Sequence, residues 1–92
     1  MAKKIEWTER SVIDRIQIYE YWLFRNKSDR YSRRLELIFT TTANLLSEFP
    51  LLGTGTTEPN IRVKVVRSFK IFYLDLPDKI QILRIIDTRQ DY

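Results

Sequence analysis

Four short segments of the chain have the apolar pattern of β-strands. Apolar and polar residues alternate over 4–7 and again over 61–66, as they do on a strand with one buried face. Residues 69–76 are apolar on both faces, which is typical of a central strand, and 79–86 form the last predicted strand. Between 51 and 60, glycine, proline and threonine predict a loop that precedes the last three strands.

Between the first strand and that loop, apolar residues recur with the period of two α-helices. The first helix is predicted from Glu9 to about Arg25, with Thr8 as its N-cap. The second follows the short polar link 26–28 and ends before Pro50, which cannot continue a helix. The apolar stripe of the first helix is Val12, Ile16, Tyr19 and Leu23, widened by Ile18 and Trp22, and that of the second is Tyr31, Leu35, Ile38, Thr42, Leu45 and Phe49.

This order of elements predicts an α+β fold with a single domain over residues 1–92. An N-terminal strand is followed by an antiparallel two-helix hairpin and then by a three-stranded antiparallel meander. Because both helices carry an apolar stripe, we expect the hairpin to cover one face of the sheet with these stripes and to leave the other face partly open.

The absence of cysteine and histidine narrows the possible chemistry. The chain lacks thiolates, the commonest general base and the commonest metal ligand, so we expect no metal and no cofactor. The start, MAKKIEW, is too polar for a signal peptide, and no apolar run could span a membrane, so we expect a cytoplasmic protein. The net charge of +4 weakly favours an acidic or polyanionic partner.

A strip of basic residues falls on the second and third predicted strands. Arg62, Lys64, Arg67 and Lys70 lie within 59–74 without any acidic residue, whereas the first 48 residues hold nine basic and seven acidic residues, interleaved as on an ordinary solvated surface. A cationic strip without carboxylates suits a phosphate backbone. The alternative is a solvent-facing strand on which lysine discourages pairing with other sheets.

The loop that joins these two strands decides whether the basic side chains share a face. A three-residue loop, 66–68, would pair Lys64 with Lys70 and place Arg62 on the same open face. A two-residue turn would instead put Arg62 and Lys64 beside the apolar side chains of the next strand. Since burying unpaired cations costs several kcal/mol, we predict the three-residue loop, with Arg62, Lys64 and Lys70 together on the open face.

Cleavage of RNA at this strip would need a base, an acid and a group that stabilises the charged phosphorane. Arginine supplies only the last of these, because its pKa lies above about 12. In a chain without histidine the base must be a lysine, a carboxylate or a tyrosinate. The alternative for each candidate is that it is an ordinary surface residue. The candidates are Lys64, Lys70, Asp87, Asp91 and Tyr92.

From end to end, the chain resembles the RelE/ParE superfamily of bacterial toxins. The best single signature is Arg62, followed by Phe69 and, four residues later, by Tyr73. The other matching segments are Trp7-Thr8-Glu9, Ile18-Tyr19-Glu20-Tyr21-Trp22, Phe49-Pro50 with Gly53, Phe69-Lys70-Ile71-Phe72-Tyr73, Ile80-Gln81-Ile82-Leu83-Arg84-Ile85 and Asp87-Thr88-Arg89. No segment is specific alone, but their order and spacing are.

The resemblance implies a cytoplasmic toxin that a cognate antitoxin neutralises. The RelE branch cleaves mRNA in the ribosomal A site, and the ParE branch poisons DNA gyrase. We expect a ribosome-dependent mRNA endoribonuclease; the alternatives are a gyrase poison and a degenerate member that only binds its antitoxin. The positions that resemble catalytic residues of the RelE branch are Arg62, Lys64, Lys70, Arg89 and Tyr92, with Arg67 as a further RNA contact.

Two positions depart from the RelE pattern. Lys70 stands where arginine is usual, and Asp91 stands before Tyr92 where one branch has histidine. The expected partners are the antitoxin and mRNA on the ribosome, or DNA gyrase under the alternative, and no membrane. We expect an antitoxin segment to cover the sheet and the helix edges, to engage Arg62 and Lys64, and so to form a toxin–antitoxin hetero-oligomer.

Overall fold

The computed structural model describes residues 2–89 and contains two helices packed on one face of a five-stranded sheet. The elements are β1 (Lys4–Trp7), α1 (Glu9–Asn26), α2 (Arg30–Glu48), β2 (Thr54–Gly55), β3 (Ile61–Val66), β4 (Phe69–Asp75) and β5 (Lys79–Asp87). The α+β fold class is therefore confirmed: an N-terminal strand, a helical hairpin and then an antiparallel meander.

The strand order β1-β5-β4-β3-β2 places β5 between the first strand and the meander. β1 runs parallel to β5, with Ile5 opposite Ile80, whereas β3, β4 and β5 pair antiparallel. The two-residue strand β2 lies in the segment predicted as a loop and pairs with β3 at the far edge. The N-terminal strand β1 therefore lies beside the last strand, β5.

The core lies between the helices and the inward faces of β4 and β5. The rings of Phe39 and Phe69 meet edge to face, with centroids 5.1 Å apart, at the junction of α2 and the sheet. The buried apolar side chains are Ile18, Leu35, Phe39, Ala43, Leu46, Phe69, Ile71, Tyr73, Ile80, Ile82 and Ile85. Only one of them, Ile18, comes from α1, so the first helix contributes little apolar surface to the core.

The predicted core stripe of α1 is confirmed at Ile18, which is buried, and at Trp22, which packs against the core, but it is wrong at Val12 and Ile16. Val12 and Ile16 are 39% and 52% exposed, and the buried positions of this helix are Ser11, Asp14 and Ile18. Polar residues can take these positions because each has its hydrogen bonds: the Ser11 hydroxyl, for example, donates to a backbone carbonyl 2.8 Å away. On α1, Val12 and Ile16 therefore mark a surface face rather than the contact with the sheet.

Asp14 fastens α1 to β5. Its Oδ2 accepts hydrogen bonds from Arg84 Nε at 2.8 Å and from the Ile85 N–H at 2.9 Å, and Arg10 Nε lies 3.4 Å from Oδ1. These contacts fall where the β4–β5 register shifts by one residue between Phe72 and Tyr73. The carboxylate thus satisfies a backbone donor beside an irregularity of the sheet.

Neither helix of the described part of the chain is apolar enough over a sufficient length to cross a membrane.

The contacts of Asp14 predict a measurable loss of stability for Asp14→Ala. The change leaves the buried Ile85 N–H without its acceptor and Arg84 without its carboxylate, which is partly offset because Arg84 is 41% exposed. We expect the free energy of unfolding, measured by urea denaturation, to fall by about 2 kcal/mol. Glu20→Ala, on the exposed side of the same helix, is the control and should change it by less than about 0.5 kcal/mol. Equal effects of the two changes would contradict this role.

Candidate functional site

A two-residue turn, Arg67 and Ser68, joins β3 to β4. Val66 pairs with Phe69, Lys64 with Ile71 and Arg62 with Tyr73, so the predicted three-residue loop is wrong. Arg67 adopts a left-handed conformation with φ of 54°, as tight hairpin turns require, although the position holds neither glycine nor asparagine. The register therefore places Arg62 and Lys64 on the helix side of the sheet.

The expected cost of burying these cations does not arise, because the helices do not cover β3. They pack against β5 and β1, while β3 lies toward the opposite edge. Arg62 and Lys64 are only partly buried as a result. Arg62 is moreover satisfied by backbone: its Nε and NH2 donate to the Gly53 carbonyl at 3.1 and 2.6 Å, and NH2 donates to the Leu51 carbonyl at 3.2 Å.

Tyr73 binds the same loop from the neighbouring strand. Its hydroxyl donates to the Pro50 carbonyl at 2.6 Å and accepts the Gly53 N–H at 3.0 Å. A Cβ at position 53 would lie 2.6 Å from that hydroxyl, so the close approach requires glycine. Arg62 and Tyr73, which are cross-strand partners, thus form a clamp on residues 50–53. Arg62 and Tyr73, which belong to the best sequence signature, therefore have a structural role in this protein.

Lys70 lies on the other face of the sheet. It pairs with Val65, and neighbouring residues of a strand point to opposite faces, so its side chain is directed away from the helices and from Lys64. Lys70 and Arg67 are both exposed. The structure therefore separates the basic residues that the sequence was expected to bring together, and their proposed catalytic and RNA-binding roles stay predictions. Tyr92 and Asp91 lie outside the described residues.

Arg89 lies against the helical hairpin rather than beside the other predicted site residues. Its guanidinium carbon is 5.0 Å from the centroid of the Trp22 ring, and its backbone N–H donates to Asp87 Oδ1 at 2.9 Å. A hydrogen bond with Tyr31, together with the charge of Asp87, raises the pKa of Arg89 above its ordinary value. These contacts favour the charged form of the Arg89 guanidinium.

The structure has two apolar surfaces that were not predicted from the sequence. The first is a groove between α1 and α2, whose lining residues are Val12, Arg15, Ile16, Tyr19, Glu20 and Glu36. An ion pair of 2.5 Å between Arg15 and Glu36 crosses it, and the Arg15 guanidinium also stacks 4.3 Å from the Trp7 ring centroid. The apolar stripe of α1 was the available signal, but it was assigned to the core.

The second apolar surface is the outward face of β3 and β4. Ile61 pairs with Leu74, Val63 with Phe72 and Val65 with Lys70, so these six side chains share the face opposite to the helices. Val65 is 56% exposed, and Lys70 is the single charged residue among the six. A protein of this size with two uncovered apolar surfaces is suited to binding another protein.

Within residues 2–89, no three side chains of the metal-ligating types come together.

Strand, helical hairpin and meander, with the first strand parallel to the last, define a toxin fold of the RelE/ParE type. A solved structure from P. aeruginosa described as a "Chromosomal ParDE TA system" has this fold: it aligns with a TM-score of 0.80 over 96% of this chain and 98% of that chain, at 18% sequence identity. The family model "ParE toxin of type II toxin-antitoxin system, parDE" matches residues 5–92. The chain therefore belongs to the ParE toxin family. No curated protein sequence matches it.

The clamp predicts that Tyr73→Phe destabilises the fold. The change removes one hydroxyl that serves both the Pro50 carbonyl and the Gly53 N–H, in a buried position. We expect a loss of about 1–3 kcal/mol in the free energy of unfolding and faster hydrogen exchange at Gly53. Tyr21→Phe is the control, because Tyr21 is 40% exposed. Unchanged exchange at Gly53 would exclude the clamp.

Proposed function

We propose that this toxin acts on DNA gyrase by binding it, and that it does not cleave RNA. The observation that carries the proposal is the separation of the cationic side chains: Lys70 lies on the opposite face from Arg62 and Lys64. Membership of the ParE family supports the same target, because gyrase is the target of that branch of the superfamily.

The chemistry of RNA cleavage argues in the same direction. A base, an acid and a charge-stabilising group must reach one phosphate together, within hydrogen-bond distance of the reacting atoms. Arg62 already donates three hydrogen bonds to loop carbonyls. Lys64 and Lys70 cannot approach one phosphate from opposite faces of a sheet. A toxin that inhibits gyrase by binding to it needs no such catalytic groups. It needs only a surface that is complementary to gyrase.

An antitoxin partner follows from the family, and the two apolar surfaces are where we place it. The α1–α2 groove is apolar at Val12, Ile16 and Tyr19 and has a charged wall at Arg15 and Glu36, which suits an amphipathic helix or strand. The outward face of β3 and β4 offers a second apolar contact. An antitoxin segment that spans both would cover the exposed side chains of Val12, Ile16 and Val65.

The target is tested by two assays run with the same preparation. In a gyrase supercoiling assay we expect the purified chain to inhibit the enzyme, and in a translation extract we expect mRNA to remain intact. Lys64→Gln with Lys70→Gln should leave the inhibition of gyrase within about threefold, since a binding surface tolerates the loss of peripheral charge. Cut mRNA in the extract, abolished by the double change, would establish the ribonuclease activity instead.

The antitoxin site predicts a large effect of Ile16→Glu. Ile16 lies in the groove and is 52% exposed, so the free chain should tolerate the change, whereas the complex would bury an unpaired carboxylate. We expect the Kd for the antitoxin, measured by calorimetry, to rise by about 100-fold. Gln17→Glu adds the same charge at the next, exposed position and should change the Kd by less than about threefold. Equal effects would place the antitoxin elsewhere.

A further inference from the structure

The whole net charge of the protein is concentrated at the tip of the helical hairpin. Residues 25–34 hold five basic residues and one acidic residue, and the rest of the chain holds eleven of each, so this segment alone accounts for the net charge of +4. The segment runs from the last turn of α1 to the first turns of α2. Its basic residues are Arg25, Lys27, Arg30, Arg33 and Arg34.

These cations are exposed and lack carboxylate partners. All five are exposed, and within residues 2–89 none of them forms an ion pair with an aspartate or glutamate. One of them, Arg30, lies in the first turn of α2, which follows the N-cap Asp29 and holds no acidic residue. Positive charge is unfavourable there, because the N-terminal end of a helix is itself the positive end of its dipole. The positive charges of the tip are therefore unfavourable in the free protein, and an anionic partner would stabilise them.

Aromatic rings join the two helices at the tip, and Arg89, whose Nε lies 3.5 Å from Asp87 Oδ1, adds a sixth cation to it. The Trp22 ring meets Tyr31 edge to face with centroids 5.0 Å apart, which ties α1 to α2 just below the turn. The guanidinium carbons of Arg25 and Arg89 lie 6.0 and 5.0 Å from the centroid of the same ring. These contacts hold two arginines in place on the hairpin before any partner arrives.

We infer that the hairpin tip is a binding site for the phosphate backbone of duplex DNA. Guanidinium groups bind phosphate oxygens through paired donors, and a duplex presents many phosphates at short spacing. The residues that line the depressions at the tip include Arg30, Arg33 and Arg34, whereas the groove between α1 and α2 is lined by Val12, Ile16 and Tyr19 beside one arginine and two glutamates. The apolar groove and the cationic tip are thus distinct surfaces for chemically different partners. The choice of DNA over RNA rests on the proposed action on gyrase, an enzyme that holds duplex DNA.

The test is the salt dependence of binding to a labelled DNA duplex, followed by fluorescence anisotropy with the full chain and no gyrase. Arg33→Gln with Arg34→Gln removes two charges and keeps good helix formers in α2. We expect the slope of log K against log salt to become shallower by about two, and affinity at about 0.1 M salt to fall roughly 50-fold. Lys4→Gln with Lys70→Gln removes two charges from exposed strand positions and should leave both unchanged.

Each other outcome overturns the inference. An unchanged slope for the Arg33 and Arg34 variant, or an equal loss for the Lys4 and Lys70 variant, would mean that the tip is no specific contact. Tighter binding of an RNA duplex of the same sequence would show that the ligand of the tip is RNA and not DNA. Loss of antitoxin affinity with DNA binding intact would make the tip a surface for an acidic protein. Because no gyrase is present, these results are independent of whether gyrase is inhibited in the supercoiling assay.

Discussion

The burial of β5 is the constraint on which the rest of this fold depends. The strand pairs with β1 on one side and with β4 on the other, both helices pack over it, and its Ile80, Ile82 and Ile85 are almost fully buried. Asp14 adds a polar attachment to its backbone from α1. A strand that has neighbours on both edges and a cover on one face can anchor a core that is otherwise small.

Centring the core on β5 leaves other surfaces uncovered. Two helices are wide enough to cover β5 and its neighbours, but β3 lies beyond them, and neither helix lies on the outward face of the sheet. Arg62 and Lys64 can therefore lie on the helix side of the sheet without being buried. The same geometry leaves the apolar residues of α1 facing a groove. The surfaces available to partners are thus determined by the position of the two helices over β5.

The extent of four of the five strands could be predicted from the sequence, because alternation and turn residues mark strand ends locally, whereas the two-residue β2 lies in the segment predicted as a loop. The pairing of β3 with β4 could not, since it depends on which part of the sheet the helices cover, and that is a long-range property. The apolar face of α1 was misassigned for a related reason: a stripe that packs on a core and a stripe that awaits a partner have the same period. Ser11 and Asp14 show that polar residues can occupy the core side when their hydrogen bonds are made.

Arg62 illustrates why a family signature does not fix a residue's role. The pattern of Arg62 and Tyr73 resembles a catalytic motif, yet in this chain the two side chains hold the loop at Pro50 and Gly53 through five hydrogen bonds. A side chain that holds a loop in place serves the fold itself, whatever the target of the toxin. Charge behaves differently, because the five basic side chains of residues 25–34, which account for the net charge of +4, are all exposed and contribute nothing to the core. Features that the fold does not need, such as the cationic tip, are therefore better indicators of what a member of this superfamily binds than the motif that identifies the fold.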